Sequence, residues 1–564
     1  MLKKNFFILF SILIILFLYL LQIAYLGIGG WLWPDERYIQ FFSLYFWKNY
    51  NLGEFIKSPP VIIIMAIINA IIFLFLKIMN ITYNLSDFAA YSIINSDLFT
   101  YAGRCFSILS AFGVIFYSYK LLKKYLEIEI VLITILFLFA SYSFIWSATI
   151  YKEDMFAFLI LVIFLYYLSE YLDKNNIKYL FIASFISGFS LGVKQNNLII
   201  IIDVFIVLII FYKKINLKNI FYVLFFLFFG LLVGDPYLIF SIKDSIIIKW
   251  FLGMLSVLFP AVRNIIFKII PTYKTEFFNL LSSYKFQHFH IGESGDKWQS
   301  FISSISFQSF NSIIFYFGFL VILFFTIKFF IELLKNHSIF QSKTKYIILL
   351  LHIYFYLLFF LKYEVKEFRY LFPILLFIFS FAAIGICKIA NILKIKTKFI
   401  LLLVLLLAIH NLYKIYNAIY NERIPYVNAQ SFIKKNIPQN SNILADNMYI
   451  LNILFRYEIN QKKIEKLIPY MKNKNILKDN FKISLFTTPI SLREDDYELQ
   501  ENNFKEILDS DHLKKIDYII VSKSLYGRFF SLNYPETQRF YNYIKENFNC
   551  VFQSGDIYIY KIDK

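Results

Sequence analysis

Charge is scarce in this chain. Asp, Glu, Lys and Arg make up only 17% of its 564 residues, against 59% apolar and 21% aromatic residues. That scarcity excludes a soluble enzyme of this length, which would need polar exteriors around several cores. Cysteine is nearly absent too: Cys105, Cys387 and Cys550 stand far apart, which excludes a disulfide framework and any cysteine-based metal spacing. No Gly-rich phosphate loop follows a strand and no Gly-x-Ser-x-Gly occurs, so nothing suggests a nucleotide-sugar donor. The first apolar segment, about 6–29, lacks a small-x-small cleavage site and reads as an uncleaved anchor. Internal repeats and long low-complexity linkers are also missing.

What the chain does have is a series of apolar runs of about 18 residues or more, the mark of a polytopic helical membrane protein. The mean hydropathy is +0.60. The formal net charge of +19 comes from lysines clustered between the apolar runs, as the positive-inside rule arranges cytoplasmic loops. No basic face with interleaved aromatics appears, so nucleic acid is excluded as a partner. Lys3 and Lys4 place the N-terminus in the cytoplasm and Asp35 outside. If 61–79 crossed the membrane, every later basic cluster would lie outside; the charge rule therefore favours an interfacial placement for it.

With that choice eleven spans are expected, at about 6–29, 104–121, 128–149, 155–172, 177–193, 197–213, 219–240, 308–334, 346–362, 370–389 and 399–416. The C-terminus is then external. Two domains follow: 1–420, a transmembrane part with external loops 31–103 and 241–306, and 421–564, a small external α/β domain. In the second, strand-like runs occupy 442–445, 483–487 and 516–521, helix-like runs 426–436 and 535–547, and a hairpin 550–560.

Asp35, Asp154, Lys194, Asp235 and Arg369 fall at the external ends of spans. Ionisable groups are costly at membrane depth, and their gathering at one face points to a site. Trp-Pro-Asp35-Glu36 would also serve as a plain helix start, with proline at the first position and acids in the first turn. Lys57 precedes Ser-Pro-Pro60 at the interface, where an anionic lipid phosphate would sit. Tyr151-Lys-Glu-Asp154 and Lys194-Gln-Asn-Asn197 serve equally well as polar turns. Asp203 lies several residues inside a span and calls for a partner in the bundle more than for catalysis. Arg369, followed by Tyr370 and Pro373, sits where an arginine pairs with an anion. His288 and His290, with Glu293, are weak candidates for a divalent cation, lacking a third strong ligand.

In order along the chain, Asp35-Glu36, Gly53, Pro59-Pro60, Ala102-Gly-Arg104, Asp154, Gly188-x-x-x-Gly192-Val-Lys194 and Arg369-Tyr-Leu-Phe-Pro373 resemble the GT-C glycosyltransferases. The resemblance is to the protein O-mannosyltransferase and aminoarabinose-transferase type, and it covers most of 1–390. It implies a GT-C-like fold and a polyprenyl-phosphate sugar as donor. The acceptor is a lipid, glycan or protein, and the active site faces outward from the plasma membrane. Asp35 is then the catalytic base, with Glu36 and Asp154 as further catalytic carboxylates. Lys57, Arg104, Lys194, Arg369 and Tyr370 would hold the donor phosphate, and the reaction would invert the anomeric carbon. The sequence departs from the aminoarabinose transferases at Ser58, which separates Lys57 from the two prolines. The rival readings are a transporter or flippase of lipid-linked saccharides and a non-catalytic envelope-assembly subunit. A transporter would show repeated halves with ionisable groups near the midplane.

Overall fold

The computed structural model describes residues 2–28, 36, 39–40, 43–44, 58–194, 197–240, 309–335, 344–362, 371–438, 441, 443–445, 467–473, 513, 516–522 and 535–562. Asp35, Lys57, His288, His290, Glu293, Arg369, Tyr370 and the strand expected at 483–487 lie outside these described residues.

The helices are α1 (Leu2–Tyr25), α2 (Pro59–Ile78), α3 (Leu85–Ile94), α4 (Ser96–Leu122), α5 (Ile128–Phe139), α6 (Tyr142–Ala148), α7 (Glu153–Lys174) and α8 (Ile177–Val193). They continue with α9 (Leu198–Ile210), α10 (Leu217–Gly234), α11 (Tyr237–Phe240), α12 (Ser309–Lys335), α13 (Thr344–Lys362), α14 (Phe372–Ile392), α15 (Thr397–Asn436) and α16 (Pro535–Asn547). Among the described residues six helices are long and apolar enough to cross a membrane: α2, α4, α7, α10, α14 and the Thr397–Ile433 part of α15. The protein is therefore a polytopic helical membrane protein with a small sheet near its C-terminus.

Two expected elements differ. The run 128–149 is not one straight helix: α5 and α6 meet at a 67° bend. A break in a membrane helix frees backbone groups, and here Asn411 Nδ2 donates to the Ala140 carbonyl at the bend. The last apolar helix does not stop near 416 either. α15 runs unbroken through Pro425 to Asn436, so the helix expected at 426–436 continues a membrane-type helix.

The chain forms two compact units. The first comprises Met1–Asn51, Ile64–Cys105 and Tyr416–Lys564, a grouping that sequence-adjacent domains do not anticipate. In it, β1 (Ile443–Ala445), β2 (Tyr518–Ser522), β3 (Asn549–Ser554) and β4 (Ile557–Lys561) form one sheet of order β1-β2-β4-β3. β1 pairs parallel to β2, and the other neighbours are antiparallel. The β3–β4 hairpin turns at Gly555, whose φ of +54° suits a residue without a Cβ. One face of the sheet packs on Ala429, Ile433 and Ile437, at and just beyond the end of α15. The other packs on Phe540, Tyr541 and Ile544 of α16.

The second unit comprises Leu52–Ile63 and Phe106–Ile415. Its closest helix pair is α8 on α10, which carry Gly188-x-x-x-Gly192 and Gly230-x-x-x-Gly234. A Cβ on Gly188 or Gly192 would run into the backbone of Leu227 or Gly234. Small residues at this spacing let membrane helices touch backbone to backbone. Gly188 faces Leu227 and Gly192 faces Gly234, so the two helices run parallel. Their C-caps, Lys194 and Asp235, therefore lie at the same end.

Candidate functional sites at the helix ends

The last carbonyls of a helix have no partner one turn further on. At the end of α1 two buried arginines take them. Arg104 Nη1 donates to Ala24 O at 2.8 Å and Leu26 O at 3.3 Å, and Arg423 Nη1 donates to Ile23 O at 3.0 Å. The rest of the Arg104 fork meets Glu36: Nε to Oε1 at 2.8 Å and Nη2 to Oε2 at 2.9 Å. Arg104 is 0% and Glu36 1% exposed. This is a bidentate, charge-assisted pair shielded from water. Both carboxylate oxygens already accept a guanidinium N–H. Glu36, expected as a further catalytic carboxylate, and Arg104, expected to hold the donor phosphate, are thus brought together as a pair.

The residues after Glu36 are tied down in turn. Gln40 Nε2 donates to Ser96 O at 3.4 Å, and Asn69 Nδ2 in the middle of α2 donates to Ser43 Oγ at 2.9 Å. Leu76, Phe88 and Phe99 form a core against which Leu44 packs. In this unit the stretch beyond the α1 exit is thus fastened to α2, to the start of α4 and, through Arg104, to α1 itself.

In the other unit Asp154 stands in the first turn of α7, where the helix dipole favours a negative charge. Its Oδ1 pairs with Lys194 Nζ, and its Oδ2 lies 3.9 Å from Lys152 Nζ. Asp154 is 2% exposed. Tyr151, also buried, donates its hydroxyl to Val61 O at 3.1 Å. Asn197 Nδ2 donates to Ala157 O at 3.2 Å, fixing the start of α9 against α7. Asp154, Phe158, Lys194, Asn197, Phe372 and Pro373 line a cavity of about 10 Å³, room for about one water molecule. Phe158 and Phe372 stack over it, 4.9 Å apart and 9° from parallel. A sugar does not fit this space.

Asp203 has the bundle partner that its depth called for: Oδ2 lies 2.7 Å from His352 Nδ1. His352 and Arg423 were missed in the sequence. Each is a single polar residue within an otherwise apolar or ordinary helical run, and no local spacing marks either. Among the described residues no group of three His, Cys, Asp or Glu side chains could hold a metal ion.

Residues 89–240 match the family model described as dolichyl-phosphate-mannose-protein mannosyltransferase. No curated protein matches the chain. Among solved structures it is similar to ArnT from Cupriavidus metallidurans, in the apo state and bound to undecaprenyl phosphate. Each shares 11% identity at a TM-score of 0.43, over 99% of this chain and 98% of that one. The segment 89–240 contains Arg104, Asp154, Lys194 and the four packed glycines, so the resemblance to that family model falls on the part of the chain that carries them.

Proposed function

We propose that this protein transfers a sugar from a polyprenyl-phosphate donor to a lipid, glycan or protein acceptor on the outer side of the plasma membrane, with Asp35 as base. The observation that carries this reading is the buried Glu36–Arg104 pair. It engages one of two adjacent carboxylates in an ion pair, which supports giving the proton-transfer role to the other. A donor of the lipid-phosphate class is the one named in the description of the matched family.

In this reaction Asp35 takes the proton of the acceptor hydroxyl, and the acceptor oxygen attacks the anomeric carbon. The bond from that carbon to the donor phosphate breaks, and the phosphate leaves with the electron pair on the lipid. A single displacement inverts the centre. The leaving dianion needs cations. Arg104 is committed to Glu36 and Lys194 is paired with Asp154, so the reading gives phosphate binding to Lys57 and Arg369, with Tyr370 beside them. Asp154 acts by fixing Lys194.

The test is transfer of labelled sugar from defined polyprenyl-phosphate donors by the purified full-length protein. Asp35→Asn should lower the rate by about 10²–10⁴-fold, the range for loss of a general base. Undiminished transfer by Asp35→Asn removes it as base. A protein that moves labelled lipid-linked saccharide between leaflets without cleaving it is instead a transporter.

A further inference from the structure

Asp203 in α9 and His352 in α13 are both buried within apolar helices, at 0% and 1% exposure. The second ring nitrogen of His352, Nε2, lies 3.1 Å from the carbonyl of Pro373. A carbonyl only accepts, so Nε2 carries a proton. The contact at Nδ1 then needs one more proton, on the ring or on the carboxyl. The other carboxyl oxygen of Asp203, Oδ1, has no hydrogen-bond partner among the described residues. Two ionisable groups in an apolar bundle are expensive, and a buried pair is a poor source of stability compared with apolar residues of the same size. What such a pair does supply is direction.

The direction here is toward the Asp154–Lys194 cavity. Pro373 lines that cavity, and Phe372, one residue earlier, forms its apolar wall by stacking on Phe158. α14 begins without a side-chain cap, so its entry is held by packing and by the His352 contact. The His352 ring is itself seated edge-on against Phe377, one turn into the same helix, at 5.6 Å. Asn197 lines the same cavity one residue before α9, the helix that carries Asp203.

We propose that Asp203 and His352 are a positioning pair for this cavity. The carboxyl orients the imidazole, the imidazole holds the Pro373 carbonyl, and Phe372 is thereby kept on Phe158 beside the Asp154–Lys194 ion pair. Keeping that wall closed keeps water from weakening the ion pair. The link to turnover rests on the glycosyl-transfer reading above; the link to Phe372 does not.

The experiment uses the full-length protein in nanodiscs, with Asp203→Leu, His352→Leu and the double variant Asp203→Asn/His352→Gln. The double variant keeps both hydrogen bonds without charge. A 4-fluorophenylalanine at Phe372 reports its stacking by ¹⁹F NMR and needs no activity. Each leucine variant is expected to shift or broaden that resonance, and the Asn/Gln variant to restore it. In sugar transfer the leucine variants should lower kcat roughly ten- to hundredfold, the cost of a small misplacement, with donor KM within about twofold. The Asn/Gln variant should recover to within about threefold.

An unmoved ¹⁹F signal in His352→Leu overturns the proposal. So does a displaced signal in a folded Asn/Gln variant, the measurement that decides if the leucine variants do not fold. Expected ¹⁹F shifts in a protein that transfers no sugar from any donor support the positioning of Phe372 and overturn the glycosyl-transfer reading alone.

Discussion

Glu36 and Arg104 are 68 residues apart in sequence, and both oxygens of the one meet the guanidinium of the other at 2.8 and 2.9 Å. Arg104 also caps α1 through Ala24 and Leu26, so the pair joins a helix end to the acidic segment that follows it. Removing one member strands the other as an unpaired buried charge, at a cost of about 3–5 kcal/mol. Arg104→Met should therefore lower the thermal unfolding midpoint sharply. Glu36→Gln, which still accepts one N–H, should lower it less. The exchanged variant Glu36→Arg/Arg104→Glu should not recover, because a glutamate at 104 cannot donate to the two carbonyls. Recovery by the exchange would show that charge alone matters there.

Asp154 and Lys194 make the same argument in the other unit. Lys152 stands near the same carboxylate, so the loss from Lys194→Met should be smaller than from Asp154→Leu, which strands two ammonium groups. The double variant Asp154→Leu/Lys194→Met should cost less than the sum of the singles, with a coupling of about 0.5–3 kcal/mol in a thermal-denaturation cycle. Additive losses would mean that the two side chains are not paired in the membrane.

Much of this arrangement was legible in the sequence, for reasons particular to each part. Apolar runs read directly as helices, whereas Gly188-x-x-x-Gly192 entered only as part of a resemblance, and its contact with Gly230-x-x-x-Gly234 is seen in the fold. Asp203 announced a partner because a carboxylate in an apolar run needs one. What stayed hidden depends on long-range contact. The bend at Ala140 is followed by Ser141-Tyr-Ser143, too little polarity to break the apolar run in the sequence, and it is compensated by Asn411, 271 residues away. Arg423 caps a helix 400 residues earlier, and a lone arginine in α15 carries no sign of that. The continuity of α15 past 421 was masked by a change of composition, which tracks a change of environment and not the end of a helix.

The glycine contact gives a prediction that involves no charge. A Cβ on Gly188 or Gly192 would meet backbone atoms of Leu227 or Gly234 that cannot swing aside. Gly192→Val should force α8 from α10 and cost at least the 1–3 kcal/mol of ordinary overpacking. Lys194 is two residues on and takes its position from the end of α8, so sugar transfer should fall as well. Gly113→Ala is the control: its Cβ meets only the flexible Leu159 side chain, and the thermal midpoint should change much less. Equal midpoints for Gly192→Val and Gly113→Ala would refute the backbone contact.

Asp87 provides the last test, within the first unit. It is fully buried at the start of α3. Oδ1 accepts the backbone N–H of Lys472 at 2.8 Å and of Asn473 at 3.1 Å, and Oδ2 accepts that of Tyr83 at 2.9 Å. The same short stretch returns two further bonds, Asn84 Nδ2 to Tyr470 O and Asn473 Nδ2 to Ile81 O, each at 2.9 Å. One carboxylate therefore latches 470–473, which lies far along the chain, to the turn before α3. Hydrogen bonds to a charged acceptor contribute about 1.5–3 kcal/mol each, and buried donors left unpaired cost a comparable amount. Asp87→Ala should release this latch while the core of Leu76, Phe88 and Phe99 stays formed. Hydrogen exchange of the Lys472 and Asn473 amides should then rise by more than tenfold, since about 1.4 kcal/mol of lost protection already gives that factor. Asp87→Asn keeps one acceptor oxygen and should fall between. If Asp87→Ala leaves both amides as protected as before, other contacts hold the segment and Asp87 is not its latch.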